Sequence, residues 1–81
     1  MKIPRDESAE RLIRRLSAFG YTKTRQTGSH IRISRITPDK TDHVTIPNHN
    51  PIRIGTLSDI LRNVAIQLNI SKEELIQQLF Y

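Results

Sequence analysis

The sequence predicts an α+β sandwich in the order helix, three antiparallel strands, helix, and a short extra C-terminal helix. Three observations carry that expectation. Residues 6–19 and 57–68 repeat apolar side chains at helical spacing, and residues 21–46 hold three short stretches suited to strands. The connections between those stretches are of hairpin length.

The first helix spans Asp6 to Phe19, with Ala9, Leu12, Ile13, Leu16 and Phe19 forming one apolar stripe. Asp6 or Ser8 can cap its start, and Gly20 can take the left-handed position that ends it. Arg11, Arg14 and Arg15 fall off the stripe and read as a solvated face. Tyr21 to Gln26, rich in Thr with basic residues interleaved, suits a strand with one wet face. Thr27-Gly28 reads as a tight turn. Ser29 to Arg35 then alternates strictly, with Ile31 and Ile33 on one side and His30, Arg32 and Ser34 on the other. Thr37-Pro38-Asp39-Lys40 turns the chain into a short third strand, His43 to Ile46, with Val44 and Ile46 inward.

Pro47-Asn48-His49-Asn50-Pro51 is a rigid loop, because two prolines fix φ and disfavour helix before them. Thr56 is expected to cap the second helix with Asp59 as its return partner, and Leu57, Ile60, Leu61, Val64 and Leu68 form the buried stripe. Ser71 and Glu74 form a capping box for the last helix, where Leu75, Ile76, Leu79 and Phe80 are apolar. The two final helices could be a helix-turn-helix, which would imply a DNA-binding regulator. The last one, however, carries one Lys, two Glu and no Arg, so it reads as a packing helix.

The helices should cover the sheet face that carries Ile31, Ile33, Val44 and Ile46. The other face stays in water. It displays His30 and Arg32, with His43 or Thr45 beside them.

At 81 residues the chain is expected to form a single domain, 1–81, with no room for a second core. The absence of Cys rules out disulfides, thiolate zinc sites and cysteine nucleophiles. No apolar run is long enough to span a bilayer, and the start turns charged at once, so no membrane role and a cytoplasmic setting are expected. The formal net charge is +5. Residues 1–35 hold nine Lys and Arg against three acidic groups, whereas the remainder holds four against five. Such an imbalance points to an anionic partner, and a polyphosphate suits it best.

His30 is the candidate for chemistry. An unperturbed imidazole titrates near neutral pH and can move protons. RNA offers a matching reaction, in which the 2′-hydroxyl must lose a proton to attack phosphorus and the leaving 5′-oxygen must gain one. Arg32, two residues along the strand on the same face, can stabilise charge on the phosphoryl oxygens. His43 and His49 stand six apart without a carboxylate cluster, so no metal site is expected. No Ser/His/Asp arrangement can be argued from the chain. Gly28 alone is no phosphate loop.

Gly28-Ser29-His30, Val44-Thr45-Ile46-Pro47 leading to His49, and Ile54-Gly55-Thr56-Leu57 followed by Ile60-Leu61 carry a family likeness. In content and order they resemble the HicA toxins of HicA–HicB toxin–antitoxin systems, the YcfA-like group. The resemblance runs from about Ser8 to Leu68, leaving 71–81 as an extra helix. It departs at Ile31, where many relatives carry a second histidine, and at Ser58, where a basic residue is common.

The resemblance implies a double-stranded-RNA-binding-domain-like fold and a small ribonuclease that cleaves mRNA with no metal or other cofactor. His30 holds the position of the catalytic histidine. Lys23, Arg25, Gly28, Ser29 and Arg32 are the expected RNA contacts, and a HicB-type antitoxin is the expected protein partner. The competing expectation is a non-catalytic RNA-binding module of the same fold. Against it, the start of the helix after Thr56 lacks the lysine cluster that would grip a duplex.

Overall fold

The computed structural model describes residues 2–81. The elements are α1 (Ala9–Leu16), a 3-10 turn (Ser17–Phe19), β1 (Thr22–Thr27), β2 (His30–Ile36), β3 (Thr41–Pro47), α2 (Ile54–Leu68) and α3 (Lys72–Phe80). The strands form one antiparallel sheet in the order β1-β2-β3. This is the expected α-β-β-β-α sandwich with a third helix added.

Ser8 caps α1, its hydroxyl accepting from the Arg11 N–H at 3.1 Å. Gly20 ends the following 3-10 turn with φ 96°, a conformation that a Cβ would strain. The chain then reverses into β1, and Tyr21 is fully buried at that entry. Gly28, with φ 58°, and Ser29 form the two-residue link between Thr27 and His30, which pair across it.

Register follows the alternation read from the sequence. Ile31 pairs with Ile46 and Ile33 with Val44, and all four are buried on the helix side. Leu12 and Leu16 of α1 and Leu57, Leu61 and Val64 of α2 are fully buried in the same core. Each such side chain contributes roughly 1.5–3 kcal/mol on leaving water. Ser71 caps α3 by accepting from the Glu74 N–H at 3.0 Å, and Leu75, Ile76 and Leu79 are buried. The last helix is therefore packed through its apolar face.

Three expectations need correction. Helix α2 begins at Ile54 with Arg53 at the N-cap and no side-chain cap, so Thr56 lies inside the first turn. Its entry is set from outside the helix: Ile52 is fully buried and donates its N–H to the Glu7 carbonyl at 2.8 Å. Strand β1 is exposed on both sides along its whole length, because it is an edge strand that the helices overhang only weakly.

The third concerns Arg15, which is exposed like its neighbours on α1 yet is not a free surface cation. Its Nε lies 2.7 Å from Oε2 of the buried Glu7, its Nη1 donates to the Leu79 carbonyl, and its guanidinium sits over the Phe80 ring. Arg11 also approaches Glu7, at 3.5 Å. The two cations hold the buried carboxylate against α1, and Arg15 alone extends the link to α3.

Candidate functional site

The sheet face away from the helices carries an open groove lined by Arg25, Thr27, His30, Arg32 and Thr45. Strand pairing explains the set. Arg25 stands opposite Arg32, Thr27 opposite His30, and Arg32 opposite Thr45 on its other side. Opposed residues share a face, so three strands contribute to one row. All five side chains are exposed.

Arg25 and Arg32 place two guanidinium groups directly across from each other. Neither makes an ion pair or a side-chain hydrogen bond among the described residues, and neither does His30. By contrast, Arg11 and Arg15 meet Glu7, Arg14 meets Glu10, Arg35 meets Asp42 and Arg62 meets Asp59. Like charges directly opposite in a sheet destabilise it. An anion bound between them removes that repulsion. The groove can thus hold a phosphate while presenting an imidazole two residues along β2, about 7 Å away.

Of the sequence-predicted contacts, Arg25 and Arg32 meet in this groove, whereas Gly28 and Ser29 do not line it and form the turn that leads into His30. The turn is anchored from behind, since the Ser29 carbonyl accepts the Asn48 N–H at 2.6 Å. Lys23 is not brought there. A β-bulge between Lys23 and Arg25 places Lys23 opposite Ile33, on the helix side, where its Nζ donates to Gln26 Oε1 at 2.6 Å. His49 is also elsewhere: its loop packs against α1, where its carbonyl accepts the Ala9 N–H.

The open face holds a second arrangement, outside the groove of His30. Ser34 is buried although its face is open, and its Oγ lies 2.7 Å from His43 Nδ1 and 2.9 Å from Thr24 Oγ1. Ser34 and His43 are cross-strand partners. Only the register of β2 against β3 reveals the pair, and the sequence offers no local sign of it.

On the helix side, Tyr21 donates its hydroxyl to Gln67 Oε1 at 2.5 Å. Burial, and after it the Asp42 carboxylate, push the Tyr21 phenol up to about 12, with Arg35 opposing them. Arg35 donates to both Asp42 and the Phe19 carbonyl, closing the edge of the core. Among the described residues no group of three or more His, Cys, Asp or Glu is placed to hold a metal ion, and no helix is long and apolar enough to cross a membrane.

The family model described as HicA toxin of bacterial toxin–antitoxin matches residues 9–66, from the start of α1 almost to the end of α2. No curated protein and no solved structure gave a match.

Proposed function

Because the chain belongs to the HicA toxin family of bacterial toxin–antitoxin systems, we propose that it is an endoribonuclease acting on mRNA through His30, without a metal. Membership makes it a toxin with an antitoxin partner. The observation that carries the catalytic reading is the unpaired Arg25–Arg32 couple beside an exposed histidine on one open face.

In this reading a phosphodiester lies across the two guanidinium groups. The RNA 2′-oxygen attacks the adjacent phosphorus, its proton leaves, and the bond to the 5′-oxygen breaks as that oxygen gains a proton. The products are a 2′,3′-cyclic phosphate and a 5′-hydroxyl, and no co-reactant is consumed. His30 is the proton-transfer group. Arg25 and Arg32 stabilise the negative charge that grows on the non-bridging oxygens. The Gly28-Ser29 turn lets the backbone approach the strand, and Lys23, on the other side of the sheet, takes no part.

The test is cleavage of a labelled single-stranded RNA by wild type and His30→Ala, with EDTA present and circular dichroism of both proteins. His30→Ala should lose roughly 10²–10⁴-fold in rate. It should keep its fold, because an exposed side chain with no partner is normally worth less than about 0.5 kcal/mol. A folded His30→Ala protein that cuts at the wild-type rate removes the catalytic assignment. Binding without cleavage by either protein favours the non-catalytic module.

A further inference from the structure

The groove that holds His30 shares a wall with a second groove. Thr45 lines both. The second lies between β3 and α2 and is lined by His43 and Thr45 on one side and Asn63, Ile66 and Gln67 on the other. His43 is two residues from Thr45, about 7 Å further along β3.

The side chains there differ in what they have left to offer. Gln67 is committed, because its Nε2 donates to the His43 carbonyl at 3.0 Å and its Oε1 accepts from Tyr21. Asn63 is exposed, and its amide has no partner among the described residues. Ile66, also in this lining, leaves 69% of its surface in water. Among the described residues no Lys, Arg, Asp or Glu lines the groove.

His43 has one ring nitrogen engaged and one free. Its Nδ1 lies 2.7 Å from Oγ of the buried Ser34, which is itself 2.9 Å from Thr24 Oγ1. That contact orients the ring and leaves Nε2 without a partner among the described residues, able to hydrogen-bond a ligand.

We propose that this second groove is a nucleobase subsite, in which the base beside the scissile phosphate rests on Ile66 and is read by the Asn63 amide and His43 Nε2. The proposal rests on the ribonuclease reading and adds a residue set that determines which sequence is cut. A base is the fitting occupant because it combines an apolar face with a donor and acceptor edge, and single-stranded RNA is recognised through both. A second phosphate fits poorly, since the cations are in the first groove. A strand that lays its phosphate on Arg25 and Arg32 need only cross Thr45 to place a base there.

The experiment uses two readouts. The His30→Ala protein, labelled with ¹⁵N, is titrated with single-stranded RNA hexamers that differ at one base. The Asn63 side-chain amide and the Ile66 N–H should shift together with the N–H groups of Arg25, Arg32 and Thr45. In a protein that keeps His30, Asn63→Ala should flatten the base preference beside the cut by roughly three- to tenfold, the worth of one hydrogen bond. Asn63 is exposed on a helix, so the variant should fold. His43→Ala should flatten the same position. Shifts confined to the first groove, with base preference unchanged in both variants, overturn the subsite and leave the proposed function standing. If wild type neither binds nor cuts any RNA, both readings fall together.

Discussion

Lys23 and Arg25 are two residues apart on β1 yet stand on opposite faces of the sheet. Lys23 is opposite Ile33 and Arg25 is opposite Arg32, because the bulge between them inserts Thr24 as an extra residue. Without it both side chains would share one face. The bulge is therefore what delivers Arg25 to the open groove, and what leaves Lys23 among the helix-side residues Glu10, Ile13 and Gln26.

A binding prediction follows directly. Arg25→Ala and Arg32→Ala should each reduce the slope of log affinity against log salt by about 0.7 on single-stranded RNA. Lys23→Ala should leave the slope nearly unchanged, and so should Arg14→Ala, whose guanidinium is paired with Glu10. Fluorescence anisotropy at four salt concentrations measures all four variants. Equal losses for Lys23 and Arg25 would place the RNA on the wrong side of the sheet.

That contrast also shows what the sequence can and cannot disclose. The open position of His30 and Arg32 was legible because β2 alternates without interruption, with Ile31 and Ile33 marking the buried side. The bulge was not, since Lys23-Thr24-Arg25 contains no glycine to mark an extra residue. The start of α2 departs from the capping pattern for a different reason. Thr56 is a good capping residue, but the buried side chain of Ile52 and its bond to Glu7 fix the chain first, so helical geometry begins at Ile54. Tertiary burial outweighed a local cap worth about 1 kcal/mol. The Glu7–Arg15 and Ser34–His43 contacts join residues whose proximity only the folded chain creates.

Arg15 should matter for stability far more than its neighbour on α1. Removing it leaves the Glu7 side chain, which is 2% exposed, with only the more distant Arg11. It also strips the Leu79 carbonyl and the Phe80 ring of their partner. Arg15→Ala should cost roughly 2–4 kcal/mol in urea unfolding. Arg14→Ala breaks an exposed pair and should stay within about 0.5 kcal/mol. Similar midpoints for the two variants would mean that Glu7 is not held by Arg15 in solution.

Tyr21 should set the alkaline limit of the fold. Its phenol ionises at about 12 when folded, against an ordinary value near 10, chiefly because burial disfavours the charged form. The unfolded chain therefore loses its proton first. Stability present below pH 10 is lost as pH rises through 10 towards 12, by up to about 2–3 kcal/mol. Tyr21→Phe should forfeit the bond to Gln67, about 1 kcal/mol at neutral pH, while flattening that alkaline decline. Unfolding midpoints at pH 8, 10 and 11 for both proteins separate the two effects. An equally steep decline in Tyr21→Phe would assign it to other groups.

The antitoxin should be an acidic protein that covers the open face. Among the described residues no carboxylate pairs with Arg25 or Arg32, so a partner that supplies one would remove their mutual repulsion and occupy the groove beside His30. The three histidines make this measurable, because all are exposed in the free protein and lie in different places. His30 is in the groove, whereas His49 is in the loop that packs against α1. In a complex obtained by co-expression, modification by diethyl pyrocarbonate followed by mass spectrometry should show His30 protected and His49 still reactive. Association should slow as salt rises, since charge complementarity acts mainly on encounter rate. A stable complex that leaves His30 as reactive as in the free chain would mean that the antitoxin neutralises this toxin from another surface.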